Sequence, residues 1–353
     1  MLDVARRVEL LALPLAVALL AACGSGAQTA GTATTGASSA ASSGSGGGGG
    51  GASTGSSTGT GTGTGGASSS GTGGGPAACA LPTMSAGDHP GSVMSGGMKR
   101  DYILHVPPGY TGGAATMLLL VFHGYLETDA DIENVSKMNA SADAHGFLVV
   151  YPQGTGQSWN AVTCCGTAPS SNVDDVKFTG DLLDQLEASL CVDPMRVYAA
   201  GYSNGGMFSN RLACELSNRI AAVGPVAGPI TVPTCTPPRP VPVIEFHGTS
   251  DLVVPYDGNG LGGAKSVKDA IAEWVMIDGC TDAMPVSVYA KGDASCQAYT
   301  ACAQGAAVEI CTIDSGGHTW PGGNSPGGLL GKVSTDIDAS ETMFAFFAAH
   351  PMP

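Results

Sequence analysis

From about residue 100 onward, short apolar runs alternate with longer stretches whose apolar positions recur at helical spacing. Asp101–Val106, Met117–Phe122, Phe147–Tyr151, Arg196–Gly201, Ile220–Ala227, Val241–Phe246 and Ala306–Ile313 are apolar or β-branched and bounded by Gly or Pro, which predicts strands. Several are almost continuously apolar, as strands covered on both faces are. Val176, Leu183, Leu186 and Leu190 fall on one helical face behind Asp174 and Asp175, two acids suited to the positive end of a helix. Met207–Leu216, Ala264–Gly279 and Thr335–His350 predict three more helices. Strand and helix in alternation imply an α/β domain, with a mostly parallel sheet and helices on both faces.

The first fifth of the 353-residue chain has none of this patterning. Arg6 and Arg7 precede an apolar run, Leu10 to Leu20, which is followed by small residues. That order describes an export signal rather than a membrane-spanning helix. "LAAC", Leu20 to Cys23, resembles the lipobox of bacterial lipoproteins. The resemblance implies a lipoprotein-type signal over residues 1–23, with Cys23 lipidated and the exported chain anchored at the cell envelope or surface. An ordinary signal peptide that leaves Cys23 free is the alternative. Residues 24–78 are almost wholly Gly, Ser, Thr and Ala, too poor in apolar surface to offset the entropy of ordering, and predict a disordered tether. Residues 79–353 suffice for one substantial domain.

A net charge of −15 without basic clusters excludes nucleic acid as a partner. Beyond Cys23 there are ten cysteines, an even number that in an exported chain favours five disulfides over thiols. Adjacent Cys164 and Cys165 are expected to bridge to two different partners. No Cys-x2-Cys pair has a matching second pair, so zinc is not expected.

Gly-x-Ser-x-Gly occurs three times, around Ser53, Ser57 and Ser203. The first two lie in the Gly/Ser/Thr tract, where nothing rigid would hold a base beside the hydroxyl. Ser203 alone has a predicted strand before it and a helix after it, with Gly205 and Gly206 permitting close backbone approach. When such a turn carries a nucleophile, the acid and then the histidine follow it in the chain. Only His247, His318 and His350 lie downstream. His350 ends a helix, and His247 precedes the best acid. His318 occupies the glycine-rich "SGGHTWPGG" after a strand and is the preferred base. Asp251, in the loop after Val241–Phe246, is preferred as acid over Glu245, which falls inside the strand, and Asp257, beyond Pro255. Asp251 would fix the tautomer of His318. Backbone amides of Tyr125 and Asn204 are the expected oxyanion donors. His123, before Gly124, is expected to be a structural hydrogen bonder. Trp159 and Trp320, close to the catalytic loops, are expected to line the substrate site, with a core position as the alternative for each.

"HGYLET", "SWNAVTCCGTA" followed by "VDDV", "CVDPMRVYAAGYSNGG", "RLACELSNRIAAVGPVAG", "HGTSDLVVPY" and "GGHTWPGG" together resemble secreted esterases of the type C feruloyl esterase and polyhydroxybutyrate-depolymerase-like family. The likeness runs over nearly all of residues 79–353. It implies an α/β-hydrolase fold and a serine esterase needing no metal or cofactor, with Ser203, Asp251 and His318 as its triad. The expected substrate is a feruloyl or related hydroxycinnamoyl ester of plant cell-wall polysaccharide, with poly(3-hydroxybutyrate) or its oligomers as the alternative. A non-catalytic binding module on a hydrolase scaffold is the reading from another class.

Overall fold

The computed structural model describes residue 79 and residues 81–260, 263–327 and 330–353. Cys23, the expected signal at 1–23 and the expected tether at 24–78 lie outside the described residues.

Ten strands form one sheet in the order β1-β2-β4-β3-β5-β6-β7-β10-β9-β8. They span Gly87–Ser95 (β1), Met98–Val106 (β2), Thr116–Phe122 (β3), Leu148–Pro152 (β4) and Val192–Tyr202 (β5). Val223–Val226 (β6), Val243–Gly248 (β7), Val286–Lys291 (β8), Ala294–Tyr299 (β9) and Val308–Ile313 (β10) complete them. Every pairing from β4 through β3, β5, β6 and β7 to β10 is parallel. Each edge carries an antiparallel wing, β1 with β2 and β9 with β8. The sheet is thus the mostly parallel, mixed sheet that the alternation predicts.

Helices cover both faces: Asp129–Ser136 (α1), Met138–His145 (α2), Thr167–Ser170 (α3), Asp175–Ser189 (α4), Asn204–Glu215 (α5), Val267–Ile277 (α6) and Ala339–Ala349 (α7). Strand β3 shows how one sequence serves two cores. Its Leu118, Leu120 and Phe122 pack with Phe178, Leu182 and Leu186 of α4 and Phe208 and Leu212 of α5. Its Met117, Leu119 and Val121 pack with Ile132, Met138, Met343 and Phe347 on the opposite face. Period-2 alternation inside an unbroken apolar run is what a doubly covered strand requires.

Five disulfides join Cys79 to Cys191, Cys164 to Cys165, Cys214 to Cys235, Cys280 to Cys302 and Cys296 to Cys311. The number agrees with expectation, but Cys164 and Cys165 bridge each other rather than two partners. The eight other described cysteines are paired elsewhere, and the Asn204 side chain holds this loop by donating to the Cys164 carbonyl at 2.9 Å. Among the described residues no helix is long and apolar enough to cross a membrane.

Candidate active site

Parallel strands of such a sheet release their loops at one end, where functional side chains can converge. Ser203 follows β5, Asp251 follows β7 and His318 follows β10.

Ser203 has φ 55° and ψ −118°, a conformation that non-glycine residues seldom adopt, at the junction between β5 and α5. Its amide donates to Val226 O at 2.8 Å and its carbonyl accepts from Met207 N at 2.9 Å, so both sides of the turn are pinned. A Cβ at Gly201, Gly205 or Gly228 would collide with backbone of this turn or of the β3 end. Glycine lets the helix start press against Phe122 and His123. The serine hydroxyl makes no capping hydrogen bond and stays uncommitted.

His318 Nδ1 donates to Asp251 Oδ2 at 2.6 Å. Asp251 Oδ1 accepts from the amides of Val253 and Val254, each at 2.8 Å. Burial alone would raise the Asp251 pKa. Hydrogen bonds from His247 and His318, with their charges, outweigh that and hold it well below the usual carboxylate range. An ionised Asp251 carboxylate can only accept, so Nδ1 is the His318 nitrogen that carries the proton between them. The hydroxyl of Tyr202, the residue before Ser203, donates to the His318 carbonyl at 2.6 Å and ties the β5 and β10 loops together.

The amides of Asn204 and Tyr125, the expected oxyanion donors, are both without a hydrogen-bond acceptor among the described residues. Asn204 is the first residue of α5, so its N–H has no intrahelical acceptor. In the β3 loop Gly124 N donates to Glu127 Oε2 at 2.7 Å and Leu126 N to Gln157 O at 2.9 Å, while the Tyr125 amide between them is unclaimed among the described residues. His123 has the expected structural role: Nδ1 donates to Gly124 O at 2.7 Å and Nε2 accepts from Gly154 N at 2.9 Å. Burial pulls its pKa down to about 4, which keeps it neutral. Burial likewise pushes Glu127 up to about 7.

Neither tryptophan can line a substrate site, because both have 0% of their surface exposed. Trp159 stacks on Phe208 with centroids 5.3 Å apart, meets Phe122 edge-on at 5.0 Å, and donates its indole N–H to His123 O. Trp320 donates to Ser340 Oγ at 3.1 Å inside the other core. Large aromatic side chains bury more area than any others, and here that outweighs their proximity in sequence to the loops.

Some participants escaped the sequence reading. The side chain of Asn204 clamps the 159–164 loop, accepting from Trp159 N at 2.7 Å and donating to Trp159 O at 3.1 Å. Glu245 and His247, set aside as catalytic candidates, lie buried behind Asp251. Their spacing of two in a strand, which puts both on one face, was the available signal.

Residues 100–251 match the family model described as Esterase PHB depolymerase. The chain is 34% identical over 236 residues to feruloyl esterase B of Piromyces equi, covering 62% of this chain and 42% of that protein, so it spans less than half of that relative's length. It is 31% identical over 283 residues to the protein of Nocardia uniformis subsp. tsuyamanensis named as esterase NocK, covering 72% of this chain and 80% of the relative. Among solved structures, an acetyl xylan esterase from Aspergillus awamori superposes with a TM-score of 0.53 at 13% identity, covering 74% of this chain and 99% of that one, a likeness of fold. The chain therefore belongs to the family of carboxylic ester hydrolases that contains feruloyl esterases and polyhydroxybutyrate-depolymerase-like esterases, on an α/β-hydrolase fold.

Proposed function

We propose that this chain hydrolyses carboxylic esters through an acyl-enzyme on Ser203, and that its acyl group is a hydroxycinnamate such as ferulate carried on plant cell-wall polysaccharide. The observation that carries the catalytic reading is the 2.6 Å Asp251–His318 hydrogen bond on loops neighbouring a strained, uncommitted Ser203.

His318 Nε2 takes the proton of Ser203 as Oγ bonds to the ester carbonyl carbon. The electron pair of the C=O bond moves to oxygen, and the amides of Tyr125 and Asn204 donate to the resulting oxyanion. One such donor is worth about 3 kcal/mol in comparable sites. Collapse breaks the bond to the alkoxy oxygen, which leaves with the proton from His318. Water then repeats the sequence on the acyl-enzyme, releasing the acid and restoring Ser203. Asp251 stabilises the imidazolium and stays ionised throughout.

Ferulate is favoured by the 34% identity to a feruloyl esterase. Poly(3-hydroxybutyrate) or its oligomers are the second reading, favoured by the description of the matching family model. Five disulfides support export. A lipid anchor at Cys23 is proposed from the "LAAC" pattern, and mass spectrometry of the mature N-terminus tests it.

One preparation should be offered methyl ferulate, 3-hydroxybutyrate oligomers and p-nitrophenyl acetate. Faster turnover of ferulate, with Ser203→Ala lowering kcat by about 10⁴-fold or more, is expected. Release of 3-hydroxybutyrate alone would select the second substrate. Folded protein inert toward all three would defeat the esterase reading.

A further inference from the structure

Glu245 and His247 end β7 on the same face, and nothing in the catalytic reading uses them. Both side chains are fully buried, on the face of the sheet that also buries Val254, Val267 and Ile310. His247 Nδ1 faces Glu245 Oε1 at 3.3 Å, and Nε2 faces Val254 O at 2.8 Å and Asp251 Oδ2 at 3.4 Å. Each ring nitrogen thus meets an oxygen, and two of the three oxygens belong to carboxyl groups. A neutral imidazole carries one N–H and could serve one side only. The imidazolium serves both, and in a dry interior it needs a nearby negative charge, for which the Asp251 and Glu245 carboxyl groups are in place.

We propose that Glu245 and His247 form a charged second row behind the catalytic acid, in which His247 as imidazolium holds the Asp251 carboxylate ionised and aimed at His318. His247 is then a positioning residue for ester hydrolysis, and the inference rests on the catalytic reading above.

The sequence of contacts is continuous. Glu245 meets His247, His247 meets Asp251, and Asp251 meets His318. The groups facing the imidazole are Glu245 from β7 and, from the segment after β7, Asp251 and Tyr256, whose ring stands edge-on at 5.8 Å. Thr312 of β10, the strand partner of His247, engages the Tyr256 hydroxyl at 2.9 Å. His318 lies beyond Asp251. Burial alone would depress the His247 pKa. Hydrogen bonding to Asp251 and Glu245, and their charges, overcome that and push it up to about 9.

Replacement of His247 by glutamine retains a donor toward Val254 O and removes the charge. A positive charge behind Asp251 opposes a second positive charge on the catalytic base, so its removal should move the acid limb of the kcat/KM profile for methyl ferulate upward by about one unit. The expected kcat loss at pH 7 is about tenfold, with KM unchanged. Glu245→Leu with His247→Leu, which replaces the pair by apolar groups, should fold and show the same displaced limb. An acid limb that stays in place in both variants would overturn the proposal, even if kcat fell in step with thermal stability.

Should neither variant fold, imidazole nitrogen NMR of the unaltered chain at pH 8 decides. Two protonated nitrogens on His247 support the second row, and a neutral tautomer overturns it. Retained turnover in Ser203→Ala would defeat the catalytic reading instead, whatever His247 does.

Discussion

Ser203 occupies a backbone conformation that costs a non-glycine residue about 1–3 kcal/mol, and hydrogen bonds to Val226 and from Met207 hold it there. Glycine adopts that region without the Cβ penalty. Ser203→Gly should therefore be more stable than Ser203→Ala by about 1 kcal/mol in urea unfolding, although both abolish the hydroxyl. Equal stability would mean that the turn is unstrained. Trp159 makes the complementary point: Trp159→Ala should cost about 3–5 kcal/mol, as loss of a large packed aromatic does. The milder Trp159→Phe should leave KM for methyl ferulate unchanged in its folded fraction, since the ring faces Phe208 and Phe122 rather than solvent. Ser203, Asp251 and His318 could be proposed from sequence because the α/β-hydrolase fold sets nucleophile, acid and histidine in that order along the chain. The exposure of Trp159 could not, because proximity in sequence to a loop does not say which way a ring turns.

Among the elements, those with apolar or periodic patterns were legible: β2 to β7, β10 and helices α4 to α7. Strand β1 was missed because "GDHPGSVMS" contains Pro90 and two glycines, tolerable on an edge strand with one side unpaired. Strand β8 was missed because five of its six residues are exposed, so no apolar alternation marks it. Helices α1 and α2 bury only three residues each, too few to impose a period. Asp278 caps α6 and joins it to the segment just ahead of β7, accepting from Val241 N at 2.9 Å through one oxygen while the other has no partner. Burial pushes its pKa up to about 7, against the hydrogen bond from Val241 and the charge of Arg239. A raised carboxyl pKa means that unfolding releases the proton over this window, so its contribution is complete below about pH 4 and lost as pH rises to about 7. Asp278→Asn should gain about 2 kcal/mol, several degrees in Tm, at pH 8 and nothing at pH 4. A gain of equal size at both pH values would refute the assignment to ionisation.

At the scale of the whole molecule, the α/β class followed from alternation alone, and the number of disulfides followed from the even cysteine count. Which cysteines met could not be read, because pairing depends on where the sheet order brings strand ends. Cys79 and Cys191 are 112 residues apart in sequence, and their bridge ties the first described residue to the chain just ahead of β5. Closing so long a loop restricts the unfolded ensemble by about 4–5 kcal/mol in the chain-entropy model. Replacing both cysteines by serine should lower the denaturation midpoint accordingly, while methyl ferulate turnover at low temperature persists. A loss of turnover with unaltered stability would show the bridge serving the site instead.

That bridge also decides how the molecule bears load. Tension applied anywhere ahead of Cys79 passes through the sulfur–sulfur bond to Cys191 and so into β5, a strand flanked on both sides by parallel neighbours. It bypasses the exposed β1–β2 wing, which would otherwise peel one hydrogen-bond pair at a time. In a pulling experiment between the N-terminus and Pro353, residues 80–190 should stay out of the extension until the bond is reduced, and the strand bearing Ser203 would be the part that takes the strain.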